Sequence, residues 1–340
     1  MNSIAVAFAH GVEIDAPGFA ARPAAMLRAA FARAAGMSRT DADDALIVEA
    51  VTWAPHIEQR QRELFARMYS EEGARTFFDG QLERLVKRLD AGRAGALVPL
   101  AGWLLLPFLP GIPGLRGLRG SRGLRYPGAR WLLLHFGGDI IAYDRQRNEA
   151  NYVAAHESLA RALARLAEKA GDAAPLCVLA HSFGSVLVSD YVYDQQETLR
   201  GRKLVPDRVR AAMGTSALAR GETLAWLYTM GSPLALWSLR YPDATLDRPL
   251  DFPGPDIAGR RTALQSEWVN FHDPDDVAAY PLRPLGPAYE QQVTMDGAIE
   301  VRGPWPPFQT PLVHPFYWTD GTLMEAVGRS LAKGWRHLNP

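Results

Sequence analysis

Two kinds of apolar run alternate along the chain. Short, nearly unbroken runs at Ile4 to Phe8, Pro175 to His181, Thr223 to Met230 and Glu267 to Phe271 have the length and the branched or aromatic content of strands buried on both faces. Ala45 to Trp53 predicts a further strand, Ile140 to Tyr143 another, and Val293 to Val301 a small hairpin. Between them, apolar positions recur at helical spacing over Ala21 to Ala35, closed by Gly36, and over Ala154 to Ala170, Gly184 to Gln195 and Thr322 to Lys333. From Pro55 onward Ile57, Leu64, Phe65 and Met68, then Phe77, Leu82, Leu85 and Leu89, continue a helical spacing that Gly73 and Gly80 interrupt. Strands alternating with helices predict the α/β class: a mostly parallel sheet with helices on both faces. No internal repeat is present.

Residues 92–128 break this pattern, being dominated by Gly, Pro, Leu and Arg. The stretch Ala94 to Leu115 is uncharged and long enough to span a bilayer, but Pro99, Pro107, Pro110 and Pro113 break it, so no clean membrane helix is expected. Residues 1–9 have no basic leader and too short an apolar run for a secretory signal, which predicts a cytoplasmic protein. Lys plus Arg equals Asp plus Glu at 37 each, so no global charge favours nucleic acid. The single cysteine, Cys177, sits in an apolar run and reads as a buried structural thiol; no intramolecular disulfide can form.

The most specific chemistry lies at Ala180-His181-Ser182-Phe183-Gly184, between an apolar run and an apolar helix. A serine on a tight strand-to-helix turn exposes its hydroxyl, and the crowding there demands small residues two before and two after it. Ala180 and Gly184 meet that demand, with Ala in place of the usual first glycine. On this reading Ser182 is a nucleophile and the Phe183 N–H, at the helix start, donates to a developing oxyanion.

A serine nucleophile needs a base, and the base an orienting acid. In the order Ser, acid, His, only His272, His314 and His337 follow Ser182. His314 lies before the last helix and is the preferred base; His272 is too close to the acid strand, and His337 lies beyond the helix near the terminus. The acid belongs in the loop after Trp268 to His272, where Asp276 is first choice, Asp273 second and Asp275 third. Asp273 also suits a turn cap at Pro274. A metal site built from His272 and these carboxylates has no second ligand cluster to complete it, and no metal or other cofactor is expected. Gly11, after the first strand, allows close backbone approach to a substrate, and the Val12 N–H is the expected second oxyanion donor. His10 and His181 flank the site, as packing or polar support, with His181 also near enough to meet substrate.

These pieces resemble the α/β-hydrolase lipases and esterases, and among them the bacterial relatives of the GPI inositol-deacylase and lecithin–cholesterol acyltransferase type. The resemblance runs through His10-Gly11, Asp139 to Tyr143, the turn at Ser182, Gly231-Ser-Pro-Leu234, Asn270 to Asp276 and His314 to Trp318. It implies an α/β-hydrolase fold and cofactor-independent cleavage of a small-molecule carboxylic ester through Ser182, His314 and Asp276. It does not fix the acyl or alcohol group; the expectation of an apolar acyl group comes from the apolar run with Trp103 to Leu106 and Phe108. A thioesterase, a phospholipase, an acyltransferase or a non-catalytic membrane-surface relative remains open.

Gly11 and Ser182 are 171 positions apart, about twice what a minimal fold of this kind needs, so residues 56–129 are expected to form a cap inserted into a core of 1–55 and 130–340. Within that insertion Arg116, Arg119, Arg122 and Arg125 recur every third residue, downstream of Trp103 to Leu106 and Phe108. Residues 96–125 therefore suit either a lid or peripheral contact with a membrane surface.

Overall fold

In the computed structural model, the residues described are 2–11, 17–53, 61, 63–64, 67–68, 134, 137–144, 149–240, 249–261, 263–302 and 311–340. The chain forms β1 (Ile4–Ala9), α1 (Ala21–Ala35), β2 (Leu46–Val51), α2 (Gly138–Ala142), α3 (Glu149–Ala170), β3 (Leu176–His181) and α4 (Phe183–Leu199). After these come β4 (Leu224–Met230), β5 (Glu267–His272), β6 (Met295–Ala298) and α5 (Gly321–Leu338). The strands make one sheet in the order β2-β1-β3-β4-β5-β6, and every neighbouring pair is parallel.

An all-parallel sheet is stable only when both faces are covered, and that explains the strand sequences. Every residue of β1, β3 and β4 is buried. On one face Ala5, Ala7 and Ala9 of β1 and Val178 and Ala180 of β3 pack with Leu159 and Leu163 of α3 and with Val186 and Leu187 of α4. On the other, Ile4, Val6, Phe8, Cys177 and Leu179 pack with Leu27 and Phe31 of α1 and Val327 and Leu331 of α5. Burial, with the charge of Glu267, pushes the Cys177 thiol well up, as befits a packing residue. The edge strand β2 is less buried and carries Glu49, whose carboxylate takes Arg165 and Lys169 of α3 at 2.7 Å each.

The strand order reverses direction between β1 and β3. The chain steps from β1 outward to β2, then crosses back over β1 to β3. In open α/β sheets such a switch point leaves a crevice at the carboxyl ends of the two strands, because the connections depart in opposite directions. Gly11 follows β1 and Ser182 follows β3, so both lie at that crevice.

Two expected elements differ. Residues 140–143 were expected as a strand, but Gly138–Ala142 is a helix whose Asp139 is buried and accepts a 2.6 Å hydrogen bond from Gln61 Nε2. A four-residue apolar run does not distinguish helix from strand, and here Ile141 is 80% exposed instead of lying within a sheet. Residues 293–301 form no hairpin. Met295–Ala298 is a single edge strand, parallel to β5, and the Ile299 N–H continues the pairing to His272 O at 3.0 Å. The last helix is longer than expected and includes His337.

The expected cap, 56–129, lies outside the described residues apart from Gln61, Glu63, Leu64, Arg67 and Met68, and the 96–125 segment lies entirely outside them. Among the described residues no helix is long and apolar enough to cross a membrane.

The two-sided core predicts a clear contrast in stability. Leu179→Ala, in the central strand, should cost about 2–5 kcal/mol by denaturant unfolding, through lost burial and a cavity. Arg33→Ala, which breaks the exposed Arg33–Glu325 pair, should cost less than about 1 kcal/mol.

Candidate active site

The turn after β3 is built by close packing. Ser182 has φ 53° and ψ −130°, and it is the sole non-glycine with positive φ among the described residues. Such a conformation costs on the order of 1–3 kcal/mol and persists only where its surroundings fix it. The Ser182 N–H is fixed by Met230 O of β4 at 2.9 Å. Its carbonyl accepts from the Ser185 N–H at 3.0 Å and from Ser185 Oγ at 2.6 Å. Ser185 Oγ also meets Ser232 Oγ at 2.7 Å, tying the turn to the loop after β4.

Gly184 explains why the turn tolerates nothing larger at its far side. A Cβ there would lie 2.3 Å from His10 O and 2.6 Å from Ala9 O, the backbone at the end of β1. Gly11 is crowded from the other side, since a Cβ on it would lie 2.7 Å from Ser182 Cβ and 3.2 Å from Ser182 Oγ. The loop after β1 therefore runs directly against the serine. His10 holds that loop: its Nε2 accepts from the Trp53 N–H at 3.3 Å, so its Nδ1 carries the proton and donates to Gly11 O at 2.5 Å. Trp53 Nε1 donates to His10 O at 2.9 Å, and the two rings stack.

Ser182 does not use its hydroxyl to cap the helix it precedes. Its Oγ lies 2.8 Å from His314 Nε2, and His314 Nδ1 lies 2.7 Å from Asp276 Oδ2. Burial would raise the Asp276 carboxyl. The hydrogen bond and charge of His314, with hydrogen bonds from the Ala278 N–H and the Tyr317 hydroxyl, outweigh it and hold the carboxyl below the usual range. A charged Asp276 assigns the proton to His314 Nδ1 and leaves Nε2 as the acceptor for the Ser182 hydroxyl. The Asp276 side chain is fully buried while that of His314 is 21% exposed, so the three groups run from interior to surface.

The competing carboxylates separate cleanly. Asp273 is buried, but its oxygens accept from the Asp275 N–H at 2.8 Å and the Val301 N–H at 2.6 Å. It caps a turn and anchors the chain leaving β6. The structure brings Ser182, His314 and Asp276 together, with Gly11 and Phe183 beside them. It places His272 at the end of β5 and His337 in the last helix, and neither is hydrogen-bonded to the three. Val12 lies outside the described residues. His181 is buried beside the site, 3% exposed, and its Nε2 reaches His314 O at 2.8 Å.

Several supporting residues were not legible as such. The Tyr317 hydroxyl accepts from the Asp273 N–H at 2.8 Å and hydrogen-bonds the Asp276 carboxylate, joining the two acids. The tyrosine lies three residues after His314 in a 3-10 segment, Pro311–Thr319, where i and i+3 share a side; that spacing was its available signal. Gly231 has φ 58°, and a Cβ there would lie 2.9 Å from the Tyr317 ring and 3.1 Å from Asp276 Oδ2. Asn270 accepts from Thr229 Oγ1 at 2.9 Å and donates to Tyr280 O at 2.9 Å and Asp296 Oδ1 at 2.7 Å, fixing the acid loop from below.

Beside Phe183, the residue after the serine, lies an open cavity of about 590 Å³. Ile140, Ile141, Leu236, Trp237 and Phe183 line it, and Arg240 and Asp144 form part of its wall. Arg240 is not a free cation: it pairs with Asp144 at 3.3 Å, lies 4.1 Å over the Trp237 ring and donates to Tyr143 O at 3.1 Å. Among the described residues no three His, Cys, Asp or Glu side chains are grouped to hold a metal ion. Comparisons with models of known protein families, with curated proteins and with solved structures gave no match to this chain.

Two outcomes test the packing and protonation just described. Gly184→Ala should destabilise the protein by about 3 kcal/mol or more, read by denaturant unfolding, because the added methyl meets backbone that has nowhere to move. Burial, then the charge of His314, pushes His181 down to about 3, so between that value and 6.5 the unfolded chain binds a proton that the folded chain refuses. Stability should therefore rise with pH across this window, and the slope should flatten in His181→Phe. An equal slope in both proteins would contradict the buried neutral imidazole.

Proposed function

We propose that the protein is a serine hydrolase of carboxylic esters, with an α/β-hydrolase fold in which Ser182 is the nucleophile, His314 the base and Asp276 the orienting acid. The observation that carries this reading is the continuous Ser182–His314–Asp276 hydrogen-bond chain starting from a strained serine at a strand-to-helix turn. A structural serine at a helix start would spend its hydroxyl on capping; this one faces an imidazole whose other nitrogen is held by a buried carboxylate.

The steps follow from those positions. His314 Nε2 takes the Ser182 proton as Oγ attacks the ester carbonyl. The resulting oxyanion forms beside the first N–H of α4, that of Phe183, which has no intrahelical acceptor at that position. The second donor in this reading is the Val12 N–H, next in sequence to Gly11. His314 then protonates the departing alcohol, leaving an acyl group on Ser182. Water, deprotonated by the same imidazole, releases the acid. Asp276 keeps the proton on Nδ1 and stabilises the imidazolium at each transfer.

The apolar cavity beside Phe183 supports an apolar acyl group. Thioester hydrolysis, phospholipid hydrolysis and acyl transfer would use the same three groups and differ in what the cavity and the acceptor site admit.

Hydrolysis of p-nitrophenyl esters from short to long acyl chains tests the reading. Ser182→Ala should lower kcat by about 10⁴-fold or more with the fold intact. Trp237→Ala should shift the chain-length optimum with little change on the acetate. Equal turnover by wild type and Ser182→Ala would refute the assignment.

A further inference from the structure

The side chain immediately before the nucleophile has no part in the steps above. His181 ends β3, and its ring packs on those of His314, Tyr317 and Trp318, with centroids 4.8, 5.7 and 5.6 Å away. Its Nε2 lies 2.8 Å from the His314 carbonyl, and because a carbonyl only accepts, Nε2 carries the proton. Nδ1 is then a bare lone pair. It is buried without a hydrogen-bond partner, 3.4 Å from where a Cβ on Gly11 would sit. Buried polar atoms without partners are rare because desolvation is not returned. A phenyl ring would fill the same space with no such penalty, so the imidazole is kept for the bond its other nitrogen makes.

We infer that His181 is a positioning residue that fastens the main chain of His314 to the strand end carrying Ser182. This inference rests on the reading of Ser182 and His314 as nucleophile and base. The two come from segments 132 positions apart, and the bond between Oγ and Nε2 cannot hold them in register, since it breaks when Oγ moves to the carbonyl carbon. His314 needs two other fixed points. Asp276 fixes Nδ1, and the His181 bond fixes the backbone from which the ring pivots. With both held, Nε2 returns to the same place for the second proton transfer, to the leaving alcohol. His181 faces His314, Asp276 and His10, and burial keeps it neutral, so it adds no second cation beside the imidazolium.

Two substitutions separate positioning from packing. His181→Phe keeps the ring and removes both nitrogens; His181→Gln keeps an N–H donor at a similar reach. On a p-nitrophenyl ester, His181→Phe should lower kcat about 10- to 100-fold with KM within about twofold, and slow fluorophosphonate labelling of Ser182 in parallel. His181→Gln should recover kcat and labelling to within about fivefold of wild type. Labelling of His181→Phe at the wild-type rate would overturn the inference, as would a His181→Gln protein no faster than His181→Phe. If His181→Phe does not fold, ¹⁵N spectra of the wild-type histidine rings decide. A neutral ring protonated at Nε2 from pH 5 to 8 supports the inference, and a ring protonated at Nδ1 or titrating in that range overturns it. A wild type that labels at Ser182 with an unaffected His181→Phe rejects positioning alone; a wild type that never labels rejects the nucleophile and the positioning together.

Discussion

The contact between the end of β1 and the first turn of α4 sets the arrangement of everything around it. His10 O and Ala9 O pass so close to Gly184 that no side chain fits between them. That approach forces Ser182 into a positive-φ turn, and the turn in turn lifts the hydroxyl out of the helix-capping geometry and toward His314. It arises at the point where the strand order reverses, between β1 and β3, where the connections diverge and leave the crevice open. The strain is offset by ordinary means: a bond from the Ser182 N–H to β4, a serine pair reaching the loop after β4, and a buried apolar cluster on each face of the sheet beneath.

The loops after β4 and β5 supply the rest, and their chemistry is divided between neighbours. Asp273 spends both oxygens on backbone N–H groups and shapes the loop. Asp276, three residues on, turns one oxygen to His314 while the other accepts from the Ala278 N–H at 3.0 Å. Tyr317 bridges the two, and Gly231 makes room for all of them by having no side chain. The result is a charge buried deepest, an imidazole above it and a hydroxyl beside that imidazole, next in sequence to Phe183 of the cavity wall. Placing the charge inside, away from water, strengthens its hold on the imidazole.

How much of this could be read from the residues follows from the range of the interactions. The strands β1, β3, β4 and β5 were legible because burial on both faces writes a continuous apolar run. The turn at Ser182 was legible because its steric demand falls on residues two positions away. Asp276 and His314 were named from chain order and their place after a strand and before a helix. Residues 140–143 and 293–301 were misread, since a short apolar run carries no period and an edge strand is indistinguishable from half a hairpin. The Tyr317 bridge, the Gly231 clearance and the His181 anchor were not assigned those roles. Each is a contact between segments far apart in sequence, and the local signals, the i+3 spacing of Tyr317 from His314 and the place of His181 beside the serine, do not name the partner.

Modification by a fluorophosphonate, mapped to the residue by mass spectrometry, probes the nucleophilicity of Ser182, with wild type, Asp276→Asn and His314→Ala compared at one pH. A single adduct on Ser182 is expected, formed quickly by wild type and slower by about 10³-fold or more in His314→Ala, with Asp276→Asn also impaired. An adduct elsewhere, or labelling of Ser182 at the same rate in all three proteins, would contradict it.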